Sequence, residues 1–284
     1  MFIKSWITAV IMYLVSAVAY NQCYKVVTKK MSKAGPLTVI IDGFAGLMCL
    51  LLIPLFDLKF PSNPYVYLFL GLACVFYALN DRISTDVRKG VEASVFSIIK
   101  QSSTFMMIIA GLLFFKEKFV LKKIVGAFLI VFSNVLVFYK KGSFKANKYV
   151  WLGVLACFFK TIALIIDVNY SKQFNLSLYA GFTLLLPALL IFLFERVKIK
   201  DIKNEIKNGD KKFILYTCIA CAIMMVINLR AYQLGEVIVI APLCSLTVIL
   251  NVIVGYFLLK EKSNLLRKLF AALLIMISVI LIKL

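Results

Sequence analysis

The chain has 284 residues, 63% of them hydrophobic, with a mean hydropathy of +0.97. A soluble domain of this length keeps too much of its area wet to hide such a composition in one core, so a water-soluble fold is excluded and an integral membrane protein is implied. The net charge of +20 does not point to nucleic acid, because nearly all of the 33 Lys and Arg sit in links between apolar runs, where basic residues orient membrane proteins.

Ten apolar runs follow one another: 5–24, 36–56, 64–84, 90–115, 124–139, 149–168, 176–194, 213–232, 236–259 and 269–284. Each is about long enough to cross the ~30 Å hydrocarbon layer as a helix. The first run, with Lys4 before it and Ala17-Val18-Ala19 near its end, imitates a cleavable signal peptide, but it takes part in the repeat described next. The expected fold class is all-α integral membrane, with ten transmembrane helices. All seven cysteines fall in these runs. Cys218 and Cys221 form a C-x-x-C inside an apolar helix, where they read as small hydrophobic fillers. The chain has no histidine, the commonest catalytic base and metal ligand. No catalytic residue, metal or cofactor is expected, and an enzyme is disfavoured because no nucleophile, base and acid converge.

Shifting the sequence by 144 positions aligns Gly111 with Gly255, Lys116-Glu117-Lys118 with Lys260-Glu261-Lys262, Leu121 with Leu265, Lys123 with Arg267 and Ala127 with Ala271. With small shifts the register extends through each half: Trp6 falls near Trp151, Tyr24 near Tyr170, and Gly43-Phe44 over Gly181-Phe182. Residues 1–142 and 143–284 are therefore two copies of a five-span unit. Five is odd, so the second copy enters the membrane from the opposite face. Inverted repeats of this kind underlie alternating access around a site near the bilayer midplane.

Ten spans in two halves, each fourth span closing on a Lys-Glu-Lys turn before a very apolar fifth, resemble the drug/metabolite transporter superfamily, in particular its EamA-type carriers. The most specific stretch is 90–137 with its echo at 235–281, including Pro242 where such carriers kink the ninth helix; Ile98 stands at the corresponding place in the first copy. The resemblance implies a basket of helices around a central cavity lined by spans 1, 3, 4, 6, 8 and 9, with spans 5 and 10 outside. Span 5 has only Ser133 and Asn134 as polar interruptions and span 10 only Ser278, which agrees with lipid-facing or dimer-contact helices. It also implies a secondary-active transporter in the plasma (inner) membrane.

Ionisable residues deep in a span are costly and by default functional. Lys100 in span 4 and Lys160 in span 6 lie at similar depth, roughly 14 to 18 Å in at 1.5 Å per residue. Ser97, Ser103 and Thr104 stand three and four positions from Lys100 and give its helix a polar stripe. Asp167 falls two turns from Lys160 on the same face. The functional reading is a basic midplane pocket for a carboxylate or phosphate; the structural alternative is lysines bonded to carbonyls or paired with Asp42 or Asp86. In span 1, Trp6, Tyr13, Tyr20 and Tyr24 share one face, with Tyr13 and Tyr20 deep enough to line a cavity. That span has no acidic residue, which disfavours the proton-for-cation exchange of small multidrug exporters of this superfamily.

The expected cargo is a small polar metabolite, anionic or zwitterionic, such as an amino acid or organic acid. Similarity to nucleotide-sugar carriers, through Tyr77, Asn80 and Lys100, keeps a nucleotide or nucleotide-sugar antiporter as the alternative, although 237–257 lacks their second-half signature; a flippase of a phosphorylated lipid is another. The expected partners are the solute, the lipid bilayer, a proton (through Asp42, Asp86 or Asp167) or counter-substrate, and a second copy meeting through spans 5 and 10; nucleic acid is not. Charge bias places 22 basic residues on one face and nine on the face bearing the termini, and so puts the termini outside, whereas the resemblance implies cytoplasmic termini.

Overall fold

The computed structural model describes residues 3–28, 33–90, 93–138 and 148–259, with six further positions between 270 and 281. The second Lys-Glu-Lys turn and most of span 10 lie outside the described residues. Among them the chain is helical: α1 (Trp6–Thr28), α2 (Ala34–Leu51), α3 (Tyr65–Gly90), α4 (Ala93–Leu113), α5 (Leu121–Phe138), α6 (Lys148–Tyr170), α7 (Leu176–Phe194), α8 (Ile199–Asn208), α9 (Lys211–Leu234), α10 (Val237–Ser245) and α11 (Thr247–Leu259). Six of these, α1, α2, α3, α6, α7 and α9, are long and apolar enough to cross a membrane.

Two corrections refine the expected helices. Span 9, expected to kink at Pro242, is divided at Leu246 into α10 and α11. Pro242 has no N–H to give to the preceding turn. Past it, the Ser245 hydroxyl donates to Pro242 O at 2.7 Å and the Thr247 hydroxyl to Cys244 O at 2.9 Å, so side chains take carbonyls around the break. The second correction concerns the basic link at 196–212, which contains the helix α8. Ile199, Ile202 and Ile206 recur at helical spacing, and Ile202 and Ile206 pack onto the core of α2, α7 and α9.

The helices form two compact units, each drawing on both sequence repeats. Unit 1 comprises 1–82 and 162–234, and unit 2 comprises 83–161 and 235–284. In unit 1, α1 packs along α9, and α2 along α7 and α9. Lipid competes for apolar side chains as well as another helix does, so membrane helices hold together where small residues let backbones approach. α2 and α7 do this at Gly46 and Gly181: a Cβ on Gly46 would lie 2.6 Å from Leu185 Cγ and 3.1 Å from Gly181 O. Beside them Ser177 donates its hydroxyl to Cys49 O at 2.5 Å. Asn175 caps α7, accepting from Leu178 N at 2.9 Å, while its amide donates to the carbonyls of Ile53, Phe56 and Asp57.

In unit 2, α4, α5 and α10 pack on one another. Asn134 of α5 is fully buried and its amide reaches Gln101 Oε1 at 3.2 Å, Ser245 O at 3.2 Å and Ser245 Oγ at 2.9 Å, tying three helices together. The polar interruptions of span 5 thus point inward, while Val125, Phe128 and Phe132 are exposed on its other side. The same division holds elsewhere. Leu68, Leu72, Val75 and Leu79 on α3, and Leu215, Ile219 and Ile223 on α9, leave apolar stripes at helical spacing outside the units, as contact with lipid requires.

Candidate functional site

The lysines of spans 4 and 6 belong to the same unit. α4 and α6 come close because Gly153 has no side chain: a Cβ there would lie 2.7 Å from Ile99 Cγ2. Cys157 then donates its thiol to Ile99 O at 3.4 Å, and Thr161 donates to Cys157 O at 2.8 Å while its hydroxyl sits 3.3 Å from that of Ser103. Lys100 follows Ile99 and Lys160 precedes Thr161, so both ammonium groups come within electrostatic reach of the Cys157 sulfur. Lys160 is also within electrostatic reach of Cys244 of α10. Lys100 is exposed, with Nζ 5.3 Å from the centroid of the Phe96 ring, and Lys160 is half-buried. Ser103 is consumed in the helix contact. The side chain of Ser97 lies outside the described residues.

The remaining predicted positions are in unit 1. Trp6, Tyr13, Tyr20 and Tyr24 are all half-buried, in keeping with a shared face of α1. Tyr20 and Tyr24 stack with ring centroids 5.5 Å apart and pack on the unit's core. Asn80 donates to Asp81 Oδ1 at 2.8 Å. The hydroxyl of Tyr77 is committed elsewhere than to a solute: it donates to Asp167 Oδ2 at 2.5 Å.

Asp167 is the centre of a second constellation, which sequence spacing did not reveal. Its carboxylate is fully buried, and Tyr179 of α7 donates to its other oxygen at 2.8 Å. Three helices thus meet on one acid, α3 through Tyr77, α6 through Asp167 and α7 through Tyr179. Around it Ala73, Ala163 and Ile166 exclude water, and Phe69 stacks on Tyr170 with centroids 4.6 Å apart. Tyr179 was not singled out in the sequence, where it is one tyrosine among 13.

The Lys-Glu-Lys turn of the first copy also has a definite task within unit 2. Glu117 accepts from the backbone amides of Val237 at 2.5 Å and Ile238 at 2.9 Å, capping α10. Lys123 pairs with Glu236 at 2.6 Å beside it.

Comparison with known proteins agrees with this architecture. A family model described as the EamA-like transporter family matches the chain twice, over residues 4–139 and 147–284. A protein of known crystal structure superposes with a TM-score of 0.72 at 13% identity, covering 99% of each chain, and 29 solved chains match in all. A search of curated proteins gave no match.

Proposed function

The chain belongs to the EamA-like transporter family, and we propose that it is a secondary-active carrier of a small anionic or zwitterionic metabolite, an amino acid or organic acid, working by alternating access in the plasma membrane. Its integral, multi-pass character follows from the family and from the apolar helices. The observation that carries the solute class is that Lys100 and Lys160 both lie within electrostatic reach of Cys157, where α4 meets α6. A solute carboxylate or phosphate would gain charge-assisted hydrogen bonds from two such cations. In this reading the two sequence repeats lie inverted in the membrane. The nucleotide-sugar alternative is less well supported, since the Tyr77 hydroxyl is engaged by Asp167.

The test is uptake into proteoliposomes, preceded by a thermal-shift screen of amino acids, organic acids and nucleotides to find a ligand that stabilises the folded state. Lys100→Ala and Lys160→Ala each abolish uptake of the stabilising solute while the purified proteins stay monodisperse. Normal transport by both variants would overturn the basic-pocket reading, and stabilisation by nucleotides alone would replace the solute class.

A further inference from the structure

Asp167 is an ionisable group that solute binding at the lysines does not use. Among the described residues no cation pairs with it; its partners are the hydroxyls of Tyr77 and Tyr179. The other titratable groups facing this cluster are Cys74 on α3, which donates to Phe182 O at 3.6 Å, and Asp81, one turn beyond Tyr77; Asp42 of α2 stands close to Asp81. An isolated carboxylate in such surroundings is costly, and an Asn or Ser would knit three helices together at less expense.

The chemistry of its two partners is distinctive. A guanidinium or an ammonium can only donate and would lock the acid in its ionised form. A phenol hydroxyl both donates and accepts. The ionised carboxylate takes one hydrogen bond on each oxygen, as observed. The neutral acid can donate its proton to the oxygen of one tyrosine, whose own O–H then turns away from the carboxyl, while the other tyrosine still donates to the remaining oxygen. Each protonation state keeps a hydrogen bond on both carboxyl oxygens, but the neutral state costs one tyrosine proton its acceptor.

A charged cavity lies next to the cluster. A cavity of about 350 Å³ in the same unit is lined by Asp57, Lys59, Lys172, Arg230 and Gln233, with Phe174 as an apolar wall. The ring of Phe174 packs on that of Tyr179 at 5.2 Å, so one aromatic layer separates this charged vestibule from the Asp167 hydroxyl cluster.

We propose that Asp167, held between Tyr77 and Tyr179, is the proton-binding site that couples this carrier to a proton gradient. A proton binds one carboxylate oxygen. The neutral acid grips the two tyrosines less strongly than the anion does, which loosens α3 and α7 from α6, and the proton returns to water as the cycle closes. This coupling rests on the carrier reading above, but proton binding itself does not.

Two measurements separate these. The first is infrared spectroscopy of the full chain in phosphatidylcholine vesicles across a pH titration, with the proton as the only ligand. Wild type shows a carboxylic C=O band that appears as pH falls and is missing from Asp167→Asn, and Tyr179→Phe, which keeps the ring but loses the hydroxyl, moves that band to higher wavenumber. Absence of a titrating band, or its persistence unchanged in Asp167→Asn, overturns the proposal. The second is accumulation of labelled amino acids and organic acids in proteoliposomes under a pH gradient, compared with solute exchange at equal pH. One proton per solute gives about tenfold accumulation for each pH unit of gradient, and the ratio of accumulation to exchange collapses in Asp167→Asn. Exchange without any effect of the gradient in wild type contradicts proton coupling and leaves the carrier standing. No movement of any of these solutes contradicts the solute class, and the infrared titration then decides the proton site alone.

Discussion

Glu117 closes the end of a helix that begins 120 residues later, with its carboxylate 2.5 Å from the backbone nitrogen of Val237. A negative charge on the first amides of α10 satisfies two otherwise orphaned donors and meets the positive end of the helix dipole. Lys116, held in a left-handed conformation at φ 50°, turns the chain so that Glu117 can reach back. The Lys-Glu-Lys turn is thus a clasp between the end of α4 and the broken span 9.

Glu117→Ala is predicted to leave both amides without their partner and to cost about 1–2 kcal/mol, with Glu117→Gln losing roughly half as much. Thermal denaturation of the detergent-purified variants, followed by circular dichroism, measures this ordering.

Gly181→Leu is predicted to prevent α2 and α7 from closing. A Cβ at this position lies 2.7 Å from Leu50 Cδ2 and 3.3 Å from Gly46 O, and a side chain has no outlet between the two backbones. Gly181→Ala meets mainly the flexible end of Leu50 and costs about 1–3 kcal/mol. Size-exclusion chromatography should find the leucine variant aggregated and the alanine variant monodisperse with a lowered Tm.

Asn134→Leu is predicted to destabilise unit 2 by about 2–3 kcal/mol, because it removes the amide that bonds Gln101 and Ser245 and adds bulk where three helices meet. Ser133→Ala, one residue away, removes only a hydroxyl bonded to Leu129 O at 2.6 Å on its own helix and should change stability little. Their difference in melting temperature isolates the inter-helix network from general disturbance of α5.

Glu205 on α8 is buried and accepts from Lys33 N at 2.7 Å, while Lys33 Nζ lies 3.1 Å from Asp201. Glu205→Ala is predicted to release the start of α2 from α8 at a cost of about 1–3 kcal/mol. Faster hydrogen exchange near residue 34 in the variant than in wild type would record that release.

The composition, the apolar runs and the 144-residue repeat made the membrane-spanning helical fold legible, since each rests on local hydropathy or on self-similarity. Other features were not, for identifiable reasons. α8 is masked in the sequence because its lysines dominate the local charge, although Ile199, Ile202 and Ile206 carry a helical period. The break at Leu246 was signalled by Pro242, but a proline alone distinguishes poorly between a kink and a full interruption. Asp167 and Lys160 share a helix face by spacing, yet the acid is claimed by tyrosines 90 and 12 residues away in sequence, a pairing that only tertiary packing decides. The cap from Glu117 to Val237 is non-local for the same reason.

The account stands on two repeats inserted with opposite orientation, and the equivalent turns test this directly. Lys118 is exposed, and its counterpart Lys262 lies outside the described residues. Single cysteines at these two positions, in a background with all seven native cysteines replaced by serine, can be labelled in intact cells with a membrane-impermeant maleimide. Labelling of one position in intact cells and of the other only after permeabilisation is the predicted result. Labelling of both from the same side would contradict inverted repeats and the carrier mechanism built on them.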